Sequence, residues 1–85
     1  MEKQFILFHA NYCGKCHTLK KRIQRLKDKD QIDMDVQMVD IETNKTLVKK
    51  YHVEGVPTLI VLENGHETKR LQGSIYKEEL IELMK

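Results

Sequence analysis

The order of hydrophobic patterns along the chain constrains its fold more than any other feature. A continuous apolar run, Phe5 to Phe8, comes shortly before a segment in which Leu19, Ile23 and Leu26 recur at steps of four and three. The first pattern suits a strand buried on both faces, and the second predicts an amphipathic helix. A helix that connects two strands implies parallel pairing, so the first half of the chain is expected to form a βαβ unit.

A hairpin is the clearest signal in the second half of the chain. Asn64-Gly65 separates an apolar run, Thr58 to Leu62, from a charged segment, His66 to Leu71. Asn-Gly favours the tight turn of an antiparallel hairpin because both residues tolerate positive φ. A heavily charged second strand is typical of a sheet edge, where charge discourages pairing with another molecule.

Weaker patterns predict three further elements. These are a strand across Met34 to Ile41 that is bulged or covered on both faces, a short helix that begins after Thr43-Asn44, and a last helix capped by Ser74. Met34 and Met38 are expected in the core. The predicted order is βαβαββα, which gives an α/β fold with a mixed four-stranded sheet and three flanking helices.

Size and charge exclude several classes of function. The 85 residues suit one domain, residues 1–85, and so small a domain cannot spare a deep cavity for a large cofactor. A net charge of +2 is too weak to indicate nucleic-acid binding, and Lys20 to Lys29 is expected to be a solvated helix face. No apolar run approaches the roughly 18 residues of a membrane span. Without a signal-peptide pattern, we expect a cytoplasmic monomer that needs no cofactor, nucleic acid or membrane.

The two cysteines, Cys13 and Cys16, lie between the first predicted strand and the first helix. Closing so short a loop contributes about 2 kcal/mol of chain-entropy stabilisation, against about 4.7 kcal/mol for a hundred-residue loop. A disulfide between these cysteines would therefore add little to the stability of the fold. A helix N-terminus favours an anion, which lowers the pKa of a Cys13 thiol placed there. Cys13 is therefore the predicted nucleophile of thiol–disulfide exchange. Cys16, one turn deeper on the same face, is the predicted resolving thiol.

Positive charge near the two sulfurs comes from Lys15 and His17. Either residue would favour the thiolate form of Cys13 by electrostatic attraction, and either would equally suit a solvated helix surface. The sequence leaves these alternatives open.

Three motifs together resemble the thioredoxin superfamily. Cys13-Gly14-Lys15-Cys16 after an apolar strand is similar to the thioredoxin active site, and Gly55-Val56-Pro57-Thr58 before a strand is similar to its cis-proline loop. The Asn64-Gly65 hairpin and Gly73 match the end of the same fold. This resemblance spans nearly the whole chain and implies a thioredoxin-like fold with protein disulfide reductase activity. It is nearest to small thioredoxin- and glutaredoxin-like redoxins that lack the N-terminal strand and helix of full-length thioredoxins.

The resemblance also implies how a substrate is held. Pro57 would be cis and would face the cysteines, while the backbone of Val56 would pair with an extended substrate segment. The other residues implied to contact substrate are Tyr12, Gly14, Lys15 and Gly73. The implied partners are disulfide-containing proteins and, as electron donor, a reductase or glutathione.

Several positions depart from the family pattern. Tyr12 and Lys15 stand where thioredoxins usually have Trp and Pro. Leu7 occupies the position of a buried acid, and Met38 that of a neighbouring lysine. The residues of the usual proton relay to the resolving thiol are therefore missing. His9 is either a substitute for them, tuning the sulfurs, or a partly exposed residue at a strand end.

Three alternative functions fit parts of the pattern. A glutathione-dependent glutaredoxin would carry a double glycine and an acid where this chain has Gln72 to Tyr76, which favours protein disulfides as substrates. A CxxC metal-binding module would need further ligands, and the four histidines are scattered along the chain, so no metal site is expected. A non-catalytic interaction module with the thioredoxin fold fits less well, because both cysteines keep the spacing of a reactive pair.

Overall fold

The computed structural model describes residues 3–84 as alternating strands and helices in the predicted order βαβαββα. The elements are β1 (Lys3–His9), α1 (Gly14–Asp28), β2 (Val36–Asp40), α2 (Lys45–Lys50), β3 (Thr58–Glu63), β4 (His66–Gln72) and α3 (Lys77–Leu83). The strands form one mixed sheet in the order β2-β1-β3-β4. The predicted fold class is therefore confirmed.

Strand β1 lies inside the sheet and organises its neighbours. It pairs in parallel with β2, with Leu7 opposite Met38, and antiparallel with β3, with Leu7 opposite Leu59. The parallel pairing follows from the crossover through α1, as the helical spacing predicts. Because β1 and β2 run in the same direction, the carboxyl ends of both strands meet at one edge of the sheet.

The two faces of the sheet carry different helices. Phe5 and Leu7 belong to a core that also contains the apolar stripe of α1 and residues of α3. Ile6 and Phe8 point to the other face, where α2 packs. The continuous apolar run of β1 is thus explained by burial on both sides, as predicted.

The late hairpin forms as expected. Asn64 and Gly65 have φ values of 53° and 84°, the left-handed conformations that a tight turn between β3 and β4 requires. Strand β4 is a charged edge strand, and an irregularity in its pairing falls between Val61 and Leu62 of β3.

Three local predictions are wrong. Met34 is fully buried but precedes β2, whereas Met38 within β2 is 46% exposed because that strand is an edge of the sheet. No bulge interrupts the register of β2 with β1, and β2 is not covered on both faces, since Gln37 and Met38 are exposed. Ser74 does not cap the last helix. Instead, α3 begins after Tyr76, whose backbone N–H donates to Oε1 of Glu79 at 3.0 Å.

Within residues 3–84, no helix combines the length and apolar character that crossing a membrane requires.

Candidate active site

The cysteines lie where the carboxyl end of β1 turns into α1. The Cys13 backbone N–H donates to the Ala10 carbonyl at 3.2 Å, which closes the turn after the strand. Cys13 is the N-cap residue of α1, with extended backbone angles, and it forms a disulfide with Cys16 across a Cα–Cα distance of 5.2 Å. The predicted placement of Cys13 at the helix N-terminus is confirmed.

The sulfur of Cys13 takes the place of the oxygen that usually caps a helix. The Cys16 backbone N–H donates to Sγ of Cys13 at 3.1 Å, while the His17 N–H donates to the Cys13 carbonyl at 3.3 Å. The first turn of α1 contains no acidic residue that would oppose an anion. Unpaired N–H groups and the helix dipole at this end therefore favour negative charge on Sγ of Cys13.

The two sulfur-bearing residues differ in access to solvent. Cys13 is 9% exposed, whereas Cys16 is 0% exposed. They form a small buried cluster with Ala10, against which Ile41 and Val56 pack. A large disulfide substrate approaching from solvent therefore meets Cys13 first.

A proline loop borders the cysteines. The Val56–Pro57 peptide bond is cis, as the resemblance implies, and Val56 packs against the cysteine cluster. The loop is held from both sides: the Gly73 N–H donates to the Pro57 carbonyl at 2.9 Å, and Oγ1 of Thr58 donates to the Gly55 carbonyl at 2.6 Å. Gly73 has a φ of 79°, which favours glycine over residues with a Cβ.

The remaining residues predicted to bind substrate surround this centre. Gly14 and Lys15 are exposed in the first turn of α1, and Tyr12 is 72% exposed just before it. A groove of about 140 Å³ runs from Tyr12 to the proline loop. Its lining residues are Tyr12, Ile41, Val48, Val53, Glu54, Gly55 and Val56.

Ile41 is a further residue of the site that was not predicted from the sequence. Its backbone N–H donates to the His9 carbonyl at 3.0 Å, so the chain leaving β2 is tied to the end of β1 beside the cysteines. One sequence signal could have identified it. Residues that follow parallel strands meet at the carboxyl edge of a sheet, and that edge is where Cys13 was already predicted to lie.

The two histidines near the sulfurs have other partners. Nδ1 of His9 lies 3.1 Å from Nζ of Lys20, and Nε2 of His17 lies 3.0 Å from the Asn11 carbonyl oxygen. Burial lowers the pKa of His9, and the Lys20 ammonium lowers it further, while the Asp40 carboxylate acts in the opposite direction. His9 is thus held towards its neutral form.

Two further expectations concern a buried acid and a metal site, neither of which is predicted for this chain. Leu7 is fully buried, so an apolar side chain fills the position where many thioredoxins have an acid. Within residues 3–84, no three His, Cys, Asp or Glu side chains are grouped closely enough to hold a metal ion.

The fold and the cysteine geometry agree with comparisons to known proteins. The family model described as Thioredoxin matches residues 1–85. The chain belongs to the thioredoxin family. With its paired Cys13 and Cys16 at the start of α1, it is a thiol–disulfide oxidoreductase, and this geometry is consistent with protein disulfide reductase activity.

Individual thioredoxins are similar to this chain over most of its length. A thioredoxin of Staphylococcus aureus is 30% identical over 81 residues, which are 95% of this chain and 78% of that protein. Thioredoxin Y, chloroplastic, of Oryza sativa subsp. japonica is 28% identical over 75 residues, which are 88% of this chain and 45% of the rice protein. The solved structure of a mutant thioredoxin from Halobacterium salinarum NRC-1 matches with a TM-score of 0.83 and 29% identity, covering 96% of this chain and 71% of that one.

Proposed function

We propose that Cys13 is the attacking thiol and Cys16 the resolving thiol in the reduction of protein disulfides. The difference in exposure between the two residues carries this assignment, because only Cys13 reaches the surface. The helix N-terminus supports it, since the Cys16 N–H that faces Sγ of Cys13 would also face the thiolate.

The proposed reaction moves two electrons from the reduced pair to the substrate. The Cys13 thiolate attacks one substrate sulfur, the substrate S–S bond breaks, and the departing substrate thiolate takes up a proton. Cys16 then loses its proton and attacks Sγ of Cys13, which breaks the mixed disulfide and releases the second substrate thiol. The chain is left with the Cys13–Cys16 disulfide, and the substrate is left as a dithiol.

The exposed surface around Cys13 would bind the substrate chain. Neither the N–H nor the carbonyl of Val56 has a hydrogen-bond partner among the described residues, so this backbone is free to pair with an extended segment. The exposed ring of Tyr12 and the groove beside it offer apolar contact, and the uncrowded Gly14 leaves access to the sulfur. Lys15 and Gly73 complete the proposed substrate surface. Pro57 is fully buried and would act through the neighbouring Val56 backbone.

The sulfur chemistry is tested with insulin as a protein disulfide substrate and dithiothreitol as reductant. The native chain should speed the reduction of insulin, and the Cys13→Ser variant should lose this activity. The Cys16→Ser variant, reduced first and mixed with insulin after the dithiothreitol has been removed, should instead accumulate a mixed disulfide with insulin, visible as added mass that fresh dithiothreitol removes. Full activity of Cys13→Ser, or mixed disulfide formed through Cys16 in that variant, would overturn the assignment.

The electron donor is either a thioredoxin reductase or glutathione, and the same proposal covers both. The family relationship favours the reductase. Incubating the oxidised chain in parallel with NADPH and thioredoxin reductase or with glutathione should give faster loss of the disulfide in the first mixture. Faster reduction by glutathione would instead support the glutaredoxin-type function.

The remaining parts of the proposal concern the domain, its oligomeric state, its compartment and the tuning of its sulfurs. We infer that residues 1–85 act as one monomeric domain in the cytoplasm, where a dithiol of this kind is kept reduced. Tuning of the sulfurs by Lys15, His17 or His9 is part of the same proposal. Substituting each residue with glutamine and measuring the reduction potential of the pair tests it, and an unchanged potential in all three variants would contradict it.

A further inference from the structure

Helix α1 carries much of the positive charge of the chain on one side. It contains six Lys and Arg residues against one acid, so the rest of the chain is net acidic although the total charge is +2. Lys15, Arg22, Arg25 and Lys29 form what we call the cationic stripe. At 100° per residue these four residues fall within about 80° of the helix circumference, and they extend over about 21 Å from the cysteines to the end of the helix.

The far half of the cationic stripe borders a surface cleft of about 240 Å³. Its lining residues are Arg22, Arg25, Leu26, Lys29, Gln31 and Lys77. Lys77 adds a further cation from the start of α3, while the acidic residues of that helix line a different groove. The cleft therefore concentrates cations from two helices on one surface.

Three of the four cations in the cleft have no side-chain partner within the described chain. Arg25, Lys29 and Lys77 form no side-chain hydrogen bond or salt bridge with any of residues 3–84. The one acid of α1, Asp28, accepts from Nε2 of Gln24 at 2.9 Å instead.

Arg22 fixes one wall of the cleft. Its Nη1 donates to the Ile75 carbonyl at 2.7 Å, and its guanidinium lies 5.4 Å from the centre of the Tyr76 ring. The opposite wall is also ordered, because the Gln31 N–H donates to the Leu26 carbonyl at 2.9 Å. The backbone on both sides of the cleft is held in place, so Arg25, Lys29 and Lys77 are attached at fixed positions around it.

We propose that the cationic stripe and its cleft bind acidic residues of the disulfide-containing protein substrate while its disulfide reacts at Cys13. This inference rests on the proposed function and names the substrate class. From Lys15 to Arg25 the helix rises about 15 Å, which an extended chain spans in four to five residues. The preferred substrate therefore carries Asp or Glu about four to six residues from its reactive cysteine, or an acidic patch at that distance on its surface.

A polypeptide fits this surface better than a nucleic acid. Single-stranded nucleic acids are bound by cations together with free aromatic faces. Tyr76 lies beside the cleft and is exposed, but one face of its ring is already covered by the Arg22 guanidinium. The cationic stripe also begins at the cysteines, whose chemistry acts on disulfides.

The inference is tested with three peptides, each carrying one cysteine as a mixed disulfide with 2-thiopyridine. Four Glu, four Ser or four Lys residues follow the cysteine at the same distance of four to seven positions. The reduced chain is mixed with each peptide, and release of 2-thiopyridone gives the rate constant. The Glu peptide should react about tenfold or more faster than the Lys peptide at low salt, with the difference shrinking at about 0.5 M salt.

Two double variants, each lacking two positive charges, distinguish an effect of the cationic stripe from an effect of net charge. Arg25→Gln with Lys29→Gln should slow the Glu peptide about three- to tenfold and leave the Ser peptide unchanged. Lys49→Gln with Lys69→Gln removes two exposed cations from α2 and β4 and should leave both rates within about twofold. Circular dichroism establishes that both variants are folded.

The possible outcomes keep the two proposals apart. Failure of the reduced chain to react with the neutral Ser peptide would contradict the proposed function. Reaction with all three peptides at equal rates, or equal slowing by both double variants, would overturn the acidic-substrate inference alone. Stronger inhibition of the Glu-peptide reaction by a single-stranded oligonucleotide than by a free poly-Glu peptide of equal charge would assign the surface to nucleic acid instead.

Discussion

The backbone N–H of Cys16 donates a hydrogen bond to Sγ of Cys13 at 3.1 Å. Cys16 thus contacts the proposed attacking sulfur in two ways. Its side chain forms the disulfide, and its backbone N–H donates a hydrogen bond to the same sulfur. The arrangement exists because Cys13 is the N-cap residue, where a side chain normally accepts from the N–H three positions later. One spacing, three residues, therefore provides both the disulfide and the hydrogen bond.

From this hydrogen bond we expect the Cys13 thiol to ionise at a lower pH than the Cys16 thiol in the reduced protein. The helix N-terminus stabilises a Cys13 thiolate, whereas burial disfavours a charged Cys16. Thiolate absorbance near 240 nm, followed against pH, should rise at lower pH in Cys16→Ser than in Cys13→Ser. The reverse order of the two variants would contradict the assignment of the attacking thiol.

A second prediction concerns the exposed ring of Tyr12 beside the groove. Tyr12→Ala should raise KM for insulin about three- to tenfold, because aromatic contact contributes about 1 kcal/mol to binding. The reaction with a small neutral disulfide, which does not reach the groove, should be unchanged. Tyr12→Phe is the matched control, since it keeps the ring and should keep KM. A similar loss in Tyr12→Phe would show that the hydroxyl matters instead of the apolar face.

A third prediction uses two glycines that differ in backbone conformation. Gly73 has a φ of 79° and donates its N–H to the proline loop, whereas Gly14 lies in the first turn of α1. A Cβ at either position would have no atom within 4 Å, so the two glycines differ in conformation and not in space. Gly73→Ala should lower the free energy of unfolding by about 1–2 kcal/mol, because a Cβ is strained at positive φ.

Gly14→Ala should leave the stability unchanged or raise it slightly, since alanine favours the helix. Urea unfolding of the oxidised proteins measures both changes. An equal loss in the two variants would mean that a general effect of alanine, and not the conformation of Gly73, lowers the stability.

Features encoded by local pattern could be predicted from the sequence. The apolar run of β1, the helical spacing of α1 and the Asn64-Gly65 turn each depend on neighbouring residues only, and each was placed correctly. Cys13 was placed at the start of α1 for the same reason. The Met38 prediction failed because alternation does not reveal which strand becomes an edge of the sheet.

Contacts between distant segments could not be predicted. The parallel pairing of β1 and β2 indicates that residues after β2 lie near Cys13, but only the register, which sets His9 opposite Asp40, selects Ile41, and no local pattern specifies that register. Lys77 joins the cleft beside α1 only after α3 packs against the same face of the sheet. The charge cluster of α1 was visible in the sequence, but its partner across the cleft was not.

The contact between His9 and Lys20 gives the last prediction, a fall in stability at mildly acidic pH. Burial and the Lys20 ammonium lower the pKa of His9 from its ordinary value of 6.5, and His17 adds to this effect while Asp40 opposes it. Below pH 6.5 the unfolded chain therefore binds a proton at His9 more readily than the folded chain. The free energy of unfolding should decrease as pH falls from 6.5 towards the lower folded value, and His9 should contribute no slope above about pH 7.5.

Urea unfolding of the oxidised protein at about pH 7.5 and about pH 5.5 measures this difference. His9→Asn should reduce the fall in stability between the two pH values, because it removes the group that titrates differently in the two states. Lys20→Gln should reduce the fall less, since burial is the larger cause and remains. His66→Asn, at an exposed position of β4, is the matched control and should behave as the native chain. If His9→Asn loses as much stability on acidification as the native chain, His9 does not control this pH dependence.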